Sequence, residues 1–559
     1  MVLMEVGSQE IKENKNMETH YATLWERISD TIPDRIALIC GEVKRSWREY
    51  DDRASRLASE MAKAGLGSDS KVGLYLHNSN EYLEAQYATF KIQGVPVNVN
   101  YRYKEEELIY LLDNSDAEAI FYQGCYSDQI TSIKDKLKNV KLFIQIEDSS
   151  KDLVEFALDY EEVIEVNKPM ERIKRSGENI YMLYTGGTTG MPKGVMYQHE
   201  GFLTAMLNTG GAWGFLPIQE KVDLEEITSV ISDLSEQDNL PISLPACPLM
   251  HGTGMWLGAL IPLISGGTVV TIPELGLDPN NLLKTAEEHE VNNLIIVGDA
   301  FAKPILDALD NAEKEGSPFN LKNLNMIASS GVMWSSEVKE GLLKHNDMVL
   351  VDAMGSTEGG MGSSRATREE PAPTAKFILN PGTIVISDEG NIVEPGSGEM
   401  GKIGTSGLVP IGYFKDPEKS AETFKEVDGI RYSFPGDYAL VEEDGTITLL
   451  GRGSNCINTA GEKVYPEEVE EAVKRHPSIF DCLVVGVSDE RFGQRVVALA
   501  STEKDTSLDE QELIGFTREH LAGYKLPKQV LFVEEVMRAP NGKANYKWAK
   551  ERAAEELGH

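Results

Sequence analysis

The segment 184–195, Tyr-Thr-Gly-Gly-Thr-Thr-Gly-Met-Pro-Lys-Gly-Val, constrains this chain more than any other. The apolar residues 180–184 predict a strand. It enters a loop of Gly186, Gly187 and Gly190 with Thr185, Thr188 and Thr189, followed by Lys193. Glycines let backbone N–H groups turn inward and approach an anion, while threonine hydroxyls and one lysine add donors and charge. The loop reads as a phosphate cradle, although Gly/Thr clusters also serve as plain loops. It is not a Walker A loop, because Gly-x4-Gly-Lys-[Ser/Thr] fits it in no register.

Around that loop the sequence alternates helical and strand-like spacing. Helices are predicted at 50–64 and 81–93, and short buried strands at 71–76, 94–99, 118–122 and 142–146. This is the rhythm of an α/β fold. A chain of 559 residues is too long for one core and implies several packing units. No apolar run approaches the roughly 20 residues that span a bilayer. Residues 1–17 carry Glu5, Glu10 and Glu13 without an apolar core, unlike a signal peptide, so a cytoplasmic enzyme is expected. A net charge of -36 disfavours nucleic acid, which needs a basic footprint, but leaves small polyanions open to local donors. Five dispersed cysteines suggest neither zinc nor a disulfide framework.

Further along, 222–239 is rich in Asp, Glu and Ser and reads as an exposed excursion. His251 sits among proline, glycine and apolar residues, which suits a structural histidine as well as a site residue; Met255 and Trp256 suit a pocket wall or ordinary core. Strands at 326–329 and 349–353 run into small-residue loops holding Ser330, Gly331 and Val332, and Met354, Gly355, Ser356, Thr357 and Glu358. Ligands of open α/β sheets sit at such carboxyl ends. Asp444-Gly445 predicts a two-residue hairpin turn. With Glu443 opposite Thr446, Asp437 faces Arg452, a pair suited to a ribose and phosphate or to a mutual salt bridge. After the glycine-flanked 451–455, a helix is predicted at 466–476, with Pro466 in its first turn and Lys474, Arg475 and His476 at its negative end.

These segments, in this order, resemble the adenylate-forming superfamily of acyl-CoA synthetases, luciferases and peptide-synthetase adenylation domains. The loop resembles Thr-Ser-Gly-Thr-Thr-Gly-x-Pro-Lys-Gly, with Gly186 in place of serine. Residues 434–437 resemble the family's Thr-Gly-Asp motif, 354–358 its Tyr-Gly-x-Thr-Glu, and 538–544 its Pro-x-x-Gly-Lys. Residues 451–470 look closest to bacterial fatty-acyl and steroid-side-chain CoA ligases.

The resemblance implies a large N-terminal domain of α/β and β-rich subdomains (1–452) and a small mobile α+β lid (453–559). It implies ATP, Mg2+ and CoA as cofactors and co-substrate, with a small-molecule carboxylate as the acid and a homodimer as one open assembly. Thr185 to Lys193, with Ser330, Gly331, Val332, Met354, Gly355, Ser356, Thr357, Glu358, Asp437 and Arg452, would hold the nucleotide; Thr185 and Glu358 would hold the metal. Lys543, with His251 and Thr357, would serve the chemistry, and His251, Met255 and Trp256 the acyl pocket. Ser454 would be the hinge, and Gly461, Glu462 and Lys463 would present CoA. Met354 replaces the usual aromatic on adenine, which leaves base stacking open, and Asn458 replaces a lysine common in the family, so transfer to a carrier protein stays open beside free CoA.

Overall fold

A computed structural model of the chain describes residues 19–557 except 186–190, 219–221, 460–461, 490–492, 505, 507 and 540–541. The largest sheet begins with parallel strands: Ile36–Cys40, Thr268–Thr271, Ile242–Pro245, Asn293–Ile296, Met326–Ser330 and Val349–Ser356, each beside the next. Val, Ile, Leu and Ala recur on both faces of these strands, as burial on both faces demands. At Gly359–Ala366 the sheet turns antiparallel and continues into the β-rich part, through Lys376–Leu379, Ile447–Arg452, Asp437–Val441 and Met400–Thr405. A second parallel sheet runs Val95–Asn98, Lys71–Tyr75, Ala117–Gln123, Leu142–Ile146 and Leu158–Asp159. The helices Trp47–Lys63 and Asn80–Lys91 cover the predicted stretches, the first opened by a capping box between Ser46 and Glu49.

The strand Ile180–Thr185 pairs antiparallel with Lys193–Gln198, and the latter with Gly412–Tyr413. Thr185 and Lys193 are the last pair, so the sheet holds both ends of the glycine-threonine loop at fixed separation. The acidic stretch expected to be an excursion is instead the helix Leu224–Glu236. Asp223 caps it by accepting from the N–H groups of Glu225 and Glu226, and its apolar stripe, Leu224, Ile227 and Ile231, is buried. The charge lies on the other face only, a periodicity that composition alone conceals.

Beyond Arg452 the chain enters a separate five-stranded sheet: Glu462–Val464, Ile457–Thr459, Gly493–Thr502, Ile479–Asp489 and, beside Gly493–Thr502, Gln529–Phe532. The helix Pro466–Lys474 lies on it with Val469 and Val473 in its core. This unit is docked on the larger one. Gly542 sits against Val297, Ala300 and Phe301, and Lys303 Nζ donates to the Phe480 carbonyl at 2.9 Å.

Candidate active site

A cleft of about 1930 Å³ opens between the two units and runs along the large sheet. Its polar end, where a nucleotide is expected, is built by strand termini. Ser330 and Gly331 follow Met326–Ser330, and Met354 to Thr357 close Val349–Ser356. Thr185 lines the cleft from the facing hairpin, and Lys543 enters from the smaller unit, its Cε 3.6 Å from where a Gly331 Cβ would stand.

Asp437 does face Arg452, but not by the expected route. The turn closes at Glu442 and Thr446, with three residues between them, which shifts the pairing by one; a bulge between Tyr438 and Ala439 shifts it back. Gly445 takes φ 78° in the turn and Gly451 φ 119° opposite Tyr438. Arg452 Nε lies 3.5 Å from Asp437 Oδ1, too long for a tight bond, while Asp437 Oδ2 is buried with no hydrogen-bond partner. A buried acceptor without a donor is costly, and a ribose hydroxyl would satisfy it. Burial raises the Asp437 carboxyl, with Arg452 and Lys543 opposing and Glu358 adding to the rise.

Glu358 is buried beside Thr357 and accepts a hydrogen bond from the Tyr413 hydroxyl at 2.8 Å. Lys543 is held below the usual lysine range by the protein crowded around it and then by Arg452, with Glu358 and Asp437 acting the other way. Solvent still reaches it along the open cleft, which tempers that effect. Glu358, Asp437, Arg452 and Lys543 thus bear on one another although they come from three distant segments.

His251 also lines the cleft, with Nε2 buried and without a partner. Burial, then the charges of Lys543 and Arg102, push its pKa down to about 3, so the ring is neutral at ordinary pH. It can offer a hydrogen bond, not a positive charge. Its segment leads into a π-helical turn, Thr253–Leu260, that lies hard against the strand end. A Cβ at Gly254 would come 2.4 Å from the Pro248 oxygen, and one at Gly258 2.6 Å from the Pro245 Cβ.

Other expected residues are placed differently. Lys193 makes a short ion pair with Asp416, which caps the Pro417–Thr423 helix, and does not line the cleft. Met255 is buried in the core, whereas Trp256 lines the cleft and donates from Nε1 to the Tyr181 hydroxyl at 2.9 Å. Val332 packs on the core beneath the large sheet rather than lining the cleft. Gly186, Gly187, Thr188, Thr189, Gly190 and Gly461 lie outside the described residues, as do the side chains of Ser454, Glu462 and Lys463.

Several residues went unread in the sequence. Asn98 donates to the carbonyls of Tyr184 (2.9 Å) and Met250 (2.7 Å) and accepts from the Tyr184 N–H (2.7 Å), tying the phosphate-loop strand to the His251 segment. Tyr413 and Arg102 likewise had no motif to mark them. Beyond the nucleotide end, the cleft continues between Met206, Trp213, Phe215 and Leu257 and the strand residues Val349, Val351 and Ala353. A strand advances about 3.3 Å per residue, so 349–355 spans roughly 20 Å.

Glu358 and Thr185 suit magnesium, which takes one or two protein oxygens and completes its shell with water and phosphate. Among the described residues there is no cluster of three or more metal-binding side chains that would suit a self-contained metal site.

The AMP-binding enzyme family profile matches residues 25–410, and that of the AMP-binding enzyme C-terminal domain matches 468–543. The 3-oxocholest-4-en-26-oate–CoA ligase of Rhodococcus rhodochrous is 40% identical over 547 residues, 96% of this chain and 96% of that protein. The medium/long-chain-fatty-acid–CoA/3-oxocholest-4-en-26-oate–CoA ligase of Mycolicibacterium smegmatis is 39% identical over 97% of this chain and 98% of its own. Among solved structures, an anthranilate CoA ligase in complex with anthranoyl-AMP superposes with a TM-score of 0.81 at 20% identity, covering 96% of this chain and 98% of that one. That likeness bears on the fold.

Proposed function

The chain belongs to the AMP-binding enzyme family, and from that premise we propose that it is an AMP-forming acid–thiol ligase. It converts a hydrophobic acid, a medium- or long-chain fatty acid or a steroid side-chain acid, into its CoA thioester. The observation that carries the reading is the junction in one cleft of a polar end, with Asp437, Arg452, Glu358 and Lys543, and an apolar channel.

In the first step a carboxylate oxygen attacks the α-phosphorus of ATP, and pyrophosphate leaves with the electrons of the broken bond. Two anions must meet, so a cation that offsets both is worth most at the transition state. Lys543, projecting beside Gly331, is assigned that role. Asp437 accepts from the ribose, Arg452 holds ribose or phosphate oxygens, and neutral His251 orients the acid's carboxylate. Thr185 and Glu358 would hold magnesium, which supplies charge neutralisation on the phosphates when bound. In the second step the CoA thiolate attacks the acyl carbon and AMP leaves; the unit 453–559 turns about Ser454 and withdraws Lys543 to admit the thiol. The enzyme acts in the cytoplasm on free small-molecule substrates.

The test is acid-dependent ATP–pyrophosphate exchange followed by detection of the thioester once CoA is added. Exchange without any thioester, across carboxylates of graded length and ring content, would overturn the CoA assignment.

A further inference from the structure

We propose that Lys547 and Lys550 of the C-terminal helix form a lid-borne phosphate site, holding with Arg102 the β- and γ-phosphates of ATP until they leave as pyrophosphate. The inference rests on the adenylation reading above and adds to it a site on the smaller unit other than Lys543.

The chain carries 54 basic against 90 acidic residues, so a polyanion approaching its surface is on average repelled. Along the cleft that balance reverses. Arg102, Arg365, Arg538, Lys543, Lys547 and Lys550 line it, against Glu107 and Glu551. Lys547 and Lys550 lie three apart on the helix Tyr546–Leu557 and therefore share a face. The adjoining face is committed elsewhere, because Ala549 and Ala553 are buried with Leu483 and Val485 on the lid sheet. Arg552 on the same helix is spent on Glu555 and Glu556, whereas no described carboxylate comes within ion-pair distance of Lys547 or Lys550. Holding two unpaired cations together costs repulsion, which a bound anion would relieve.

Position points to the leaving group. The Tyr110 hydroxyl donates to the Pro192 carbonyl at 3.4 Å, which sets the helix Glu105–Asn114 against the end of the phosphate loop. Arg102 precedes that helix, and its charge and that of Lys543 both bear on His251. Lys547 and Lys550 line the same cleft as Pro192, Arg102 and Lys543. Formation of the bond from the carboxylate oxygen to the α-phosphorus and cleavage of the α–β bridge leave pyrophosphate with an added negative charge on this side. Cations carried by the lid would engage it only while the lid is docked, and rotation would release it.

The experiment compares the wild type with Lys547→Gln/Lys550→Gln in ATP–pyrophosphate exchange, using dodecanoate as the acid, and separately in thioester formation from synthetic dodecanoyl-AMP and CoA. The expected result is a KM for ATP and for pyrophosphate raised about 10-fold or more, with the KM for dodecanoate and the CoA half-reaction unchanged. Unchanged KM values for ATP and pyrophosphate would overturn the proposal, and so would a rise confined to the KM for CoA, since the cations would then serve the second substrate. Absence of exchange by the wild type with any acid would instead sink the adenylation reading itself.

Discussion

The Tyr413 hydroxyl donates to Glu358 Oε1 at 2.8 Å inside the protein. Tyr413 is also the residue whose strand pairs with Val195, one turn of sheet away from the phosphate loop. The bond fixes one carboxylate oxygen and leaves the other to a ligand, the usual arrangement around a metal-binding carboxylate. Tyr413→Phe is expected to raise the magnesium concentration for half-maximal adenylation by about 10- to 100-fold, with little change in the KM of the acid. Magnesium titrations at saturating ATP check this; an unaltered magnesium requirement would show that Glu358 needs no such support.

Lys543→Ala separates the two chemical steps. If the ammonium offsets charge only while the acyl–phosphate bond forms, the variant loses about 100- to 1000-fold in adenylation and keeps thioester formation from supplied acyl-AMP. Equal losses in both half-reactions would mean that the substitution damages the docking of the lid, not the chemistry. Undiminished pyrophosphate exchange would remove Lys543 from the first step altogether.

Asp437 and Arg452 show how much of this site is legible in the sequence. Their apposition was readable, yet the reading assumed a two-residue turn and an unbroken ladder, and the chain uses a three-residue closure and a bulge that cancel. Local turn signals fix that a hairpin forms; they do not fix whether its strands carry an extra residue. The family motifs brought Glu358 and Lys543 to the same place because a motif condenses geometry that spacing alone lacks. They gave no sign of the Lys193–Asp416 ion pair, because Asp416 is 223 residues away and has no motif of its own. Met255 and Trp256 are neighbours in a π-helical turn, where ordinary helical periodicity does not tell the cleft face from the core face. The apolar channel was unreadable in detail, since its walls are drawn from strands and helices far apart in the chain.

A buried histidine pair makes the fold sensitive to acid. His20 and His199 stack with ring centroids 3.8 Å apart, and His20 Nδ1 accepts from the Ala22 N–H as the cap of Tyr21–Thr31. Burial first, and then Arg175, push His199 down to about 3; burial, His199 and Arg175 lower His20 as well. A folded pKa below the unfolded value means that the unfolded chain binds the proton better. Stability is therefore whole above about pH 6.5 and falls as pH drops below it, by roughly 1.4 kcal/mol per pH unit for each such histidine. Denaturation midpoints between pH 5 and 8 should show the fall, and His199→Phe should flatten it by one histidine's share. A wild-type midpoint flat from pH 8 to 5 would contradict a neutral buried pair.

The channel makes a graded prediction about substrate length. Ala353, Val351 and Val349 line one strand from the nucleotide end outward, facing Met206, Trp213 and Phe215. A bulky side chain at Ala353 therefore obstructs the channel close to the reacting carboxylate, and one at Val349 obstructs it about 13 Å farther out. Each methylene excluded from an apolar site is worth about 1–3 kcal/mol of discrimination. Val349→Phe is expected to lower kcat/KM for long-chain acids by 10- to 100-fold and to spare medium-chain ones. Ala353→Leu should impair both, and only acids too short to reach past it, such as propanoate, should stay within about threefold, because the nucleotide end is untouched. AMP release across a series of acids, read beside the melting temperature of each variant, separates obstruction from misfolding. A loss that is uniform over chain length in a variant that melts normally would mean that the acid does not lie along this strand.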